Sequence, residues 1–347
     1  MAFYLNDTKK EETMERVTFR GSLMNILSFS IFVAMAFMAP TQADAVAKTI
    51  NLKAVCFLPA QASVVRFLPI YADKVNKRSK GELNISFLGG PEVIPTAALS
   101  EAVIKGRVDI ALNAANLFID KVPEVFGLAL SRYSAMEERK NGVYEWVNQY
   151  FNKMNLEYLG RAKTDLPFYL ASNFPVATPK DFAGHQFGAL DFTIGFTKAL
   201  GATPVNVPKP DWFISVQRGV VDGYCLPVGN IVSYKLHEIT KYLVDHDLRF
   251  DHEIIVMNRD KWKSLPQHLQ KLMTEVAVEM EPEVKAFFTE ETQRSRKVMQ
   301  DAGMKFVKFS PADAKSYLDT FNKANLDDFK KAAKPESFNR TRDRFLK

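Results

Sequence analysis

Only two cysteines, Cys56 and Cys225, occur in 347 residues, which excludes a disulfide-stapled scaffold. Cys56 closes an apolar strand-like run and Cys225 follows a turn. Two separate small apolar residues is the simpler reading, and a single bridge is the alternative. There is no Gly-x-Ser-x-Gly, GxxxxGK(S/T), GxGxxG or HExxH, so no nucleophile elbow, phosphate cradle, dinucleotide loop or zinc helix is signalled. Neither an enzyme nor a bound cofactor is expected. Lys+Arg number 46 against 40 Asp+Glu, and the excess is scattered, with Lys330, Lys331 and Lys334 beside acidic neighbours. That pattern is a solvated surface, not a nucleic-acid stripe. The densest titratable cluster is Asp245-His246-Asp247 with Asp251, His252 and Glu253. Neighbouring residues of a strand point to opposite faces, so this cluster reads as surface and hinge polar residues, not as a metal-ligand set.

What is present begins at the N-terminus. Residues 23–37 carry no charge, Arg16 and Arg20 precede them, and Ala43-Asp44-Ala45 supplies small residues at a cleavage site. The apolar run stops before Pro40, short of the ~20 residues a spanning helix needs, and no later run is longer. Residues 1–45 therefore read as an export signal cleaved after Ala45. Translation starts at Met1 or, given the acidic Glu11, Glu12 and Glu15, at Met14. The mature chain is expected to work outside the cytoplasm without an anchor.

That mature chain exceeds the size at which a single core stops growing, so two lobes are expected. It opens β, α, β: a strand over 48–57, apolar residues Val64, Phe67, Leu68, Tyr71 and Val75 at helical spacing, and an alternating strand over 82–88. Further on, EAVIKGRVDIA (101–111) is echoed by ISVQRGVVDGY (214–224). Each reads as a helix end, a basic residue, a glycine that stops the helix in the left-handed conformation, then Val-Asp entering a strand. A corner used twice suggests two lobes of like design. Val143, Trp146, Val147, Tyr150 and Phe151 mark an amphipathic helix, and 253–258 reads as a buried strand. A charged helical stretch over 266–303 should kink at Pro282, and the tail from Pro311 reads as helical and polar. The fold class is α/β.

In order along the chain, SKGEL (79–83), the two glycine corners, PKDFAG (179–184), ALGATPV (199–205), RGVVDG (218–223) with Pro227, and ITKY (239–242) resemble one family. It is the extracytoplasmic solute-binding subunits of tripartite ATP-independent periplasmic (TRAP) transporters. The resemblance implies a periplasmic, two-lobed, type II-like binding-protein fold with a ligand cleft between the lobes. Lobe I would comprise 46–165 with 254–293 and lobe II 166–253 with 294–347, and a long helix near Pro282 would span both. It further implies capture of a small organic solute, an organic acid first of all, and docking on a TRAP membrane permease; an ABC-type receptor is the nearest rival. Family members place an arginine in the strand after the Asp-x-x-Gly turn, to clamp a ligand carboxylate through two parallel hydrogen bonds. Here Gly188 holds that position, and a second such arginine corresponds to Phe168. An amine, a polyol or an aromatic compound stacked on Phe168 and Trp212 is therefore the alternative ligand. The remaining cleft positions that the resemblance implies are Phe57, Glu92, Asn113, Asp191, Lys209, Asp211, Trp212 and Tyr224. Lys209 is either a replacement cation or a surface lysine; Asp211 is either a ligand contact or the cap of the helix that ends at Gly219.

Overall fold

The computed structural model describes residues 48–131, 133–162, 166–208, 211–250 and 253–345. The export signal, Lys209 and the Asp251-His252 pair lie outside the described residues. The chain lays down β1 (Ile50–Cys56), β2 (Leu83–Gly89), β3 (Ile110–Ala114) and β4 (Leu156–Arg161) before crossing over. It then builds β5 (Phe168–Ser172), β6 (Gln186–Ala189), β7 (Thr203–Asn206), β8 (Gly223–Pro227) and β9 (Tyr242–Val244). Finally it returns as β10 (Glu253–Asn258) and closes with the short β11 (Lys305–Val307). The result is two sheets, ordered β2-β1-β3-β10-β4 and β11-β9-β5-β8-β6-β7.

In the first sheet β1, β2 and β3 run parallel, and β10 lies antiparallel between β3 and β4. Every residue of β3 and β10 is buried, as their largely apolar sequences require of strands covered on both faces. The edge strand β2 instead alternates buried and exposed residues at its start. In the second sheet the two faces of β5 and β8 divide by the period of the pleat. Tyr169, Ala171, Tyr224 and Leu226 join the core of the first sheet, while Phe168, Leu170 and Cys225 join a separate core with Phe182, Phe187 and Phe196. Cys56 and Cys225 thus sit in different sheets with no disulfide between them, and burial pushes the Cys225 thiol pKa up.

The two chain crossings run side by side. Phe168 and Leu248 exchange backbone hydrogen bonds of 2.9 and 3.0 Å, and the Ala162 N–H donates to the Glu253 carbonyl at 2.9 Å. A helix over Gln267–Asp301 spans both sheets. Its apolar face, Leu269, Met273, Val276, Met280, Val284 and Phe288, is buried. Glu279 accepts from Arg78 on the first-sheet side, and Arg296 reaches Asp245 beyond β9 at 2.6 Å. The helix runs unbroken through Pro282; the missing N–H frees only the carbonyl of Val278, a residue on the exposed side. The tail differs from its polar reading. The helix Pro311–Ala332 buries Tyr317, Phe321 and Phe329, two of them edge-on to Phe196 at 5.2 and 5.1 Å. The last helix, Pro335–Phe345, carries Phe345 to Trp146 in the first core. Among the described residues no helix is long and apolar enough to cross a membrane.

Candidate functional site

The parallel strands β1, β3, β6, β7 and β8 all lead toward one cavity of about 550 Å³, a volume in the range that small-molecule sites occupy. Phe57–Pro59 follow β1, Asn116 follows β3, Leu190–Phe192 follow β6, and Val207 and Pro208 follow β7. The first residues of the antiparallel β5 and β10, Phe168 and Glu253, close the floor. Ligands in α/β proteins lie beyond the carboxyl ends of strands, because the loops there are free to vary on a rigid base.

The two echoed corners build this arrangement. The helix Thr96–Ile104 stops at Gly106 and the helix Trp212–Gln217 at Gly219, each glycine with φ of +69°. Asp109 then accepts the Lys53 N–H of β1 at 2.7 Å, and Asp222 accepts the Gln186 N–H of β6 at 2.9 Å. Both aspartates therefore lock a strand to its parallel neighbour, as turn residues.

At the second corner the helix begins with Trp212, only 1% exposed, whose indole lines the cavity. It lies directly on Gly188 of β6: a Cβ there would fall 2.5 Å from Cζ3 of the ring. Any side chain at position 188, a guanidinium above all, would displace the indole. Trp212 also packs edge-on to Tyr224 at 6.1 Å, and its Nε1 has no hydrogen-bond partner among the described residues. Apolar packing alone holds the ring.

The other expected positions separate into those the cavity gathers and those it does not. Phe57, Phe168, Asp191 and Trp212 line it. Tyr224 is buried behind Trp212 with its hydroxyl 2.9 Å from Thr240 Oγ1. Asn113 is buried, donating to Ser100 at 3.1 Å and accepting from the Ala114 N–H at 2.9 Å. Glu92 turns back to accept the Gly90 N–H at 2.6 Å, and that bond holds its pKa below the usual carboxylate range; the neighbouring Pro91 lines the cavity instead. Asp211 occupies the N-cap position of the Trp212 helix but makes no side-chain capping bond. Gly188 contributes by what it admits.

Groups that the sequence reading passed over are Thr96, Asn116, Asn206, Asn230, Phe192 and Tyr234, all in the lining. Thr96 donates to the Phe57 carbonyl at 2.7 Å, and the Asn116 Oδ1 is without a partner among the described residues. Asn206 could have been found as the last residue of a parallel strand. The described lining contains no lysine, arginine or histidine, and its two acids differ: Glu253 is buried and already partnered, whereas Asp191 is exposed. Among the described residues no group of His, Cys, Asp and Glu is placed to hold a metal. The Asp245-His246-Asp247 cluster is spent on the fold: Asp245 pairs with Arg296, His246 Nε2 accepts the Phe309 N–H at 2.9 Å, and Asp247 accepts the Tyr169 hydroxyl.

Residues 57–332 match the model of a family described as bacterial extracellular solute-binding protein, family 7. The chain is 25% identical over 203 residues to an uncharacterized protein of Sinorhizobium fredii, covering 56% of this chain and spanning about a third, 35%, of that relative's length. It is 24% identical over 281 residues to a solute-binding protein of Albidiferax ferrireducens, covering 76% of this chain and 80% of that one. A TRAP periplasmic solute-binding protein of Desulfovibrio salexigens, solved with bound orotic acid, shares the fold with a TM-score of 0.72 at 20% identity, over 85% of this chain and 99% of that one. With the match covering most of its length, the chain belongs to family 7 of the bacterial extracellular solute-binding proteins.

Proposed function

We propose that this receptor captures a small, flat, ring-containing solute between aromatic walls, without an arginine-clamped carboxylate, and delivers it to a TRAP membrane permease. The observation that carries the reading is the seat of Trp212 on Gly188. It puts an indole where a carboxylate clamp would need a guanidinium, and Phe168 extends the apolar wall. Amides of Asn116, Asn206 and Asn230 supply donors and acceptors suited to the polar edges of a ring. Closure of the two sheet-bearing halves about the paired crossings would bury the solute and expel water from it.

A second reading, an organic acid, is favoured by the orotic acid in the Desulfovibrio salexigens relative. Orotic acid is itself a flat ring, so the two readings part only over what holds the carboxylate. Thermal-shift measurements on the mature protein with acids, amines, sugars and aromatics test this. Ring compounds are expected to raise the melting temperature with or without a carboxylate. If carboxylates alone stabilise the protein and Lys209→Ala abolishes that, the aromatic-wall reading fails and Lys209 is the clamp.

A further inference from the structure

The charge of the cavity follows from its walls. Five aromatic side chains, Phe57, Phe168, Phe192, Trp212 and Tyr234, contribute to its lining. The negative faces of such rings attract cations and offer nothing to an anion. The only charged groups in the described lining are the carboxyls of Asp191 and Glu253, and Glu253 has its own partner inside the protein.

Asp191 is the one acid of the described lining without a side-chain partner inside the protein; Asp211, which also makes no side-chain capping bond, lies outside that lining. Asp191 opens the turn Asp191–Thr193 that follows β6. That turn closes without it, because Thr193 Oγ1 accepts the Leu190 N–H at 2.9 Å and the Thr193 N–H returns to the Leu190 carbonyl at 2.7 Å. Asp109, Asp222 and Glu92 each hold a backbone N–H. The Asp191 carbonyl accepts the Ile194 N–H, but no hydrogen bond or ion pair joins the Asp191 side chain to any described residue, and that side chain stays exposed at the cavity. Closing the cleft on this carboxylate would strip its water, a loss that only an opposite charge can offset. A ligand carboxylate brought against it would add repulsion.

We infer that the solute carries a positively charged nitrogen, held between the ring faces and the Asp191 carboxylate. This rests on the aromatic-wall reading above and fixes the sign of the charge that reading leaves open. In open solvent such a pair would be weak; inside a closed, water-poor cleft it sets the ligand's order of preference.

Three probes that share one ring and differ in charge test it: benzylammonium, benzyl alcohol and benzoate, titrated into the mature protein by calorimetry and by tryptophan fluorescence. Benzylammonium should bind roughly tenfold tighter than benzyl alcohol, equal to about 1.4 kcal/mol, with benzoate weakest. Asp191→Asn should bring the ammonium to within about threefold of the alcohol without moving the melting temperature of the unliganded protein, since nothing in the fold leans on this side chain. Benzoate binding tightest, or an ammonium preference that survives Asp191→Asn, overturns the inference. If the benzoate preference also vanishes in Lys209→Ala, the charge belongs to Lys209, and the ring reading stands while the cation falls. If no ring probe binds and a sugar or an aliphatic dicarboxylate does, the aromatic-wall reading itself is lost.

Discussion

The corner at Gly106 and the corner at Gly219 are the same device built twice, and they differ in the residues at two matching buried positions. In each, the glycine N–H returns to the carbonyl three residues back, at 3.2 Å from Gly106 and 3.1 Å from Gly219. The next residue bonds five back, Arg107 to Ala102 and Val220 to Ser215, at 2.9 Å in both. In each, the aspartate N–H also bonds the carbonyl of the residue whose N–H the carboxylate holds, Lys53 or Gln186. Seven residues before the glycines stand Leu99 and Trp212; two residues beyond the held strand positions stand Val55 and Gly188. All four are buried. One half divides the volume between valine and leucine, and the other gives nearly all of it to an indole over a glycine. Where total volume is kept, a core accepts such a trade, so identical backbone engineering can carry an ordinary core on one side and a ligand wall on the other.

The comparison can be broken most severely at the indole. Trp212→Ala should cost about 3–5 kcal/mol in denaturant unfolding, the usual toll of emptying so large a site, and should abolish ring-probe binding. Gly188→Val, which copies the first half without its partner change, forces a Cβ into the ring and should cost about 1–3 kcal/mol. Adding Trp212→Leu to it completes the copy; stability should return to within about 1.5 kcal/mol of the parent while ring probes still fail to bind. That split between stability and binding is the sharpest check that the trade serves the ligand.

Smaller effects test whether the corners are equivalent. Asp109→Ala and Asp222→Ala should each cost about 1–2 kcal/mol through the lost charge-assisted bond to a strand N–H, measured as a shift in the denaturation midpoint. A larger loss at Asp222 would trace to His185, whose Nδ1 lies 3.1 Å from that carboxylate. Gly106→Ala and Gly219→Ala should each cost about 1 kcal/mol and agree closely. A Cβ meets nothing nearer than 3.6 Å at the first and nothing within 4 Å at the second, so only the left-handed backbone is being charged.

Much of this architecture is legible in the sequence because it rests on local chemistry. Glycine followed by Val-Asp spells a helix stop and a strand start, and the apolar runs of β3 and β10 announce strands buried on both faces. The tail misled for a related reason: its aromatic residues Tyr317, Phe321 and Phe329 are outnumbered by lysine and aspartate, so a narrow buried stripe is diluted in the composition. The cavity was half legible. Phe57, Phe168, Asp191 and Trp212 could be placed from their position relative to recognisable segments, whereas Asn113 and Tyr224 sit one step behind the wall, where a one-residue difference on a strand reverses the face. The asparagines and Tyr234 come from segments distant in sequence, and no local signal says that they meet. That Trp212, from another element, lies on Gly188 has no local signal in the sequence.

The place of β10 bears on how the chain comes to be assembled. It is the strand that joins β3 to β4, yet it is synthesised after β5 to β9 of the second sheet. Until it arrives, β3 and β4 present bare edges with no mutual hydrogen bonds, and the N-terminal half has no complete sheet to settle into. Pairings of such long sequence separation form late and slowly. For a chain of an extracellular family, which crosses a membrane before it folds, the delay is an advantage: topology slows compaction of the first sheet, and the return of the chain as β10 becomes the step that completes it.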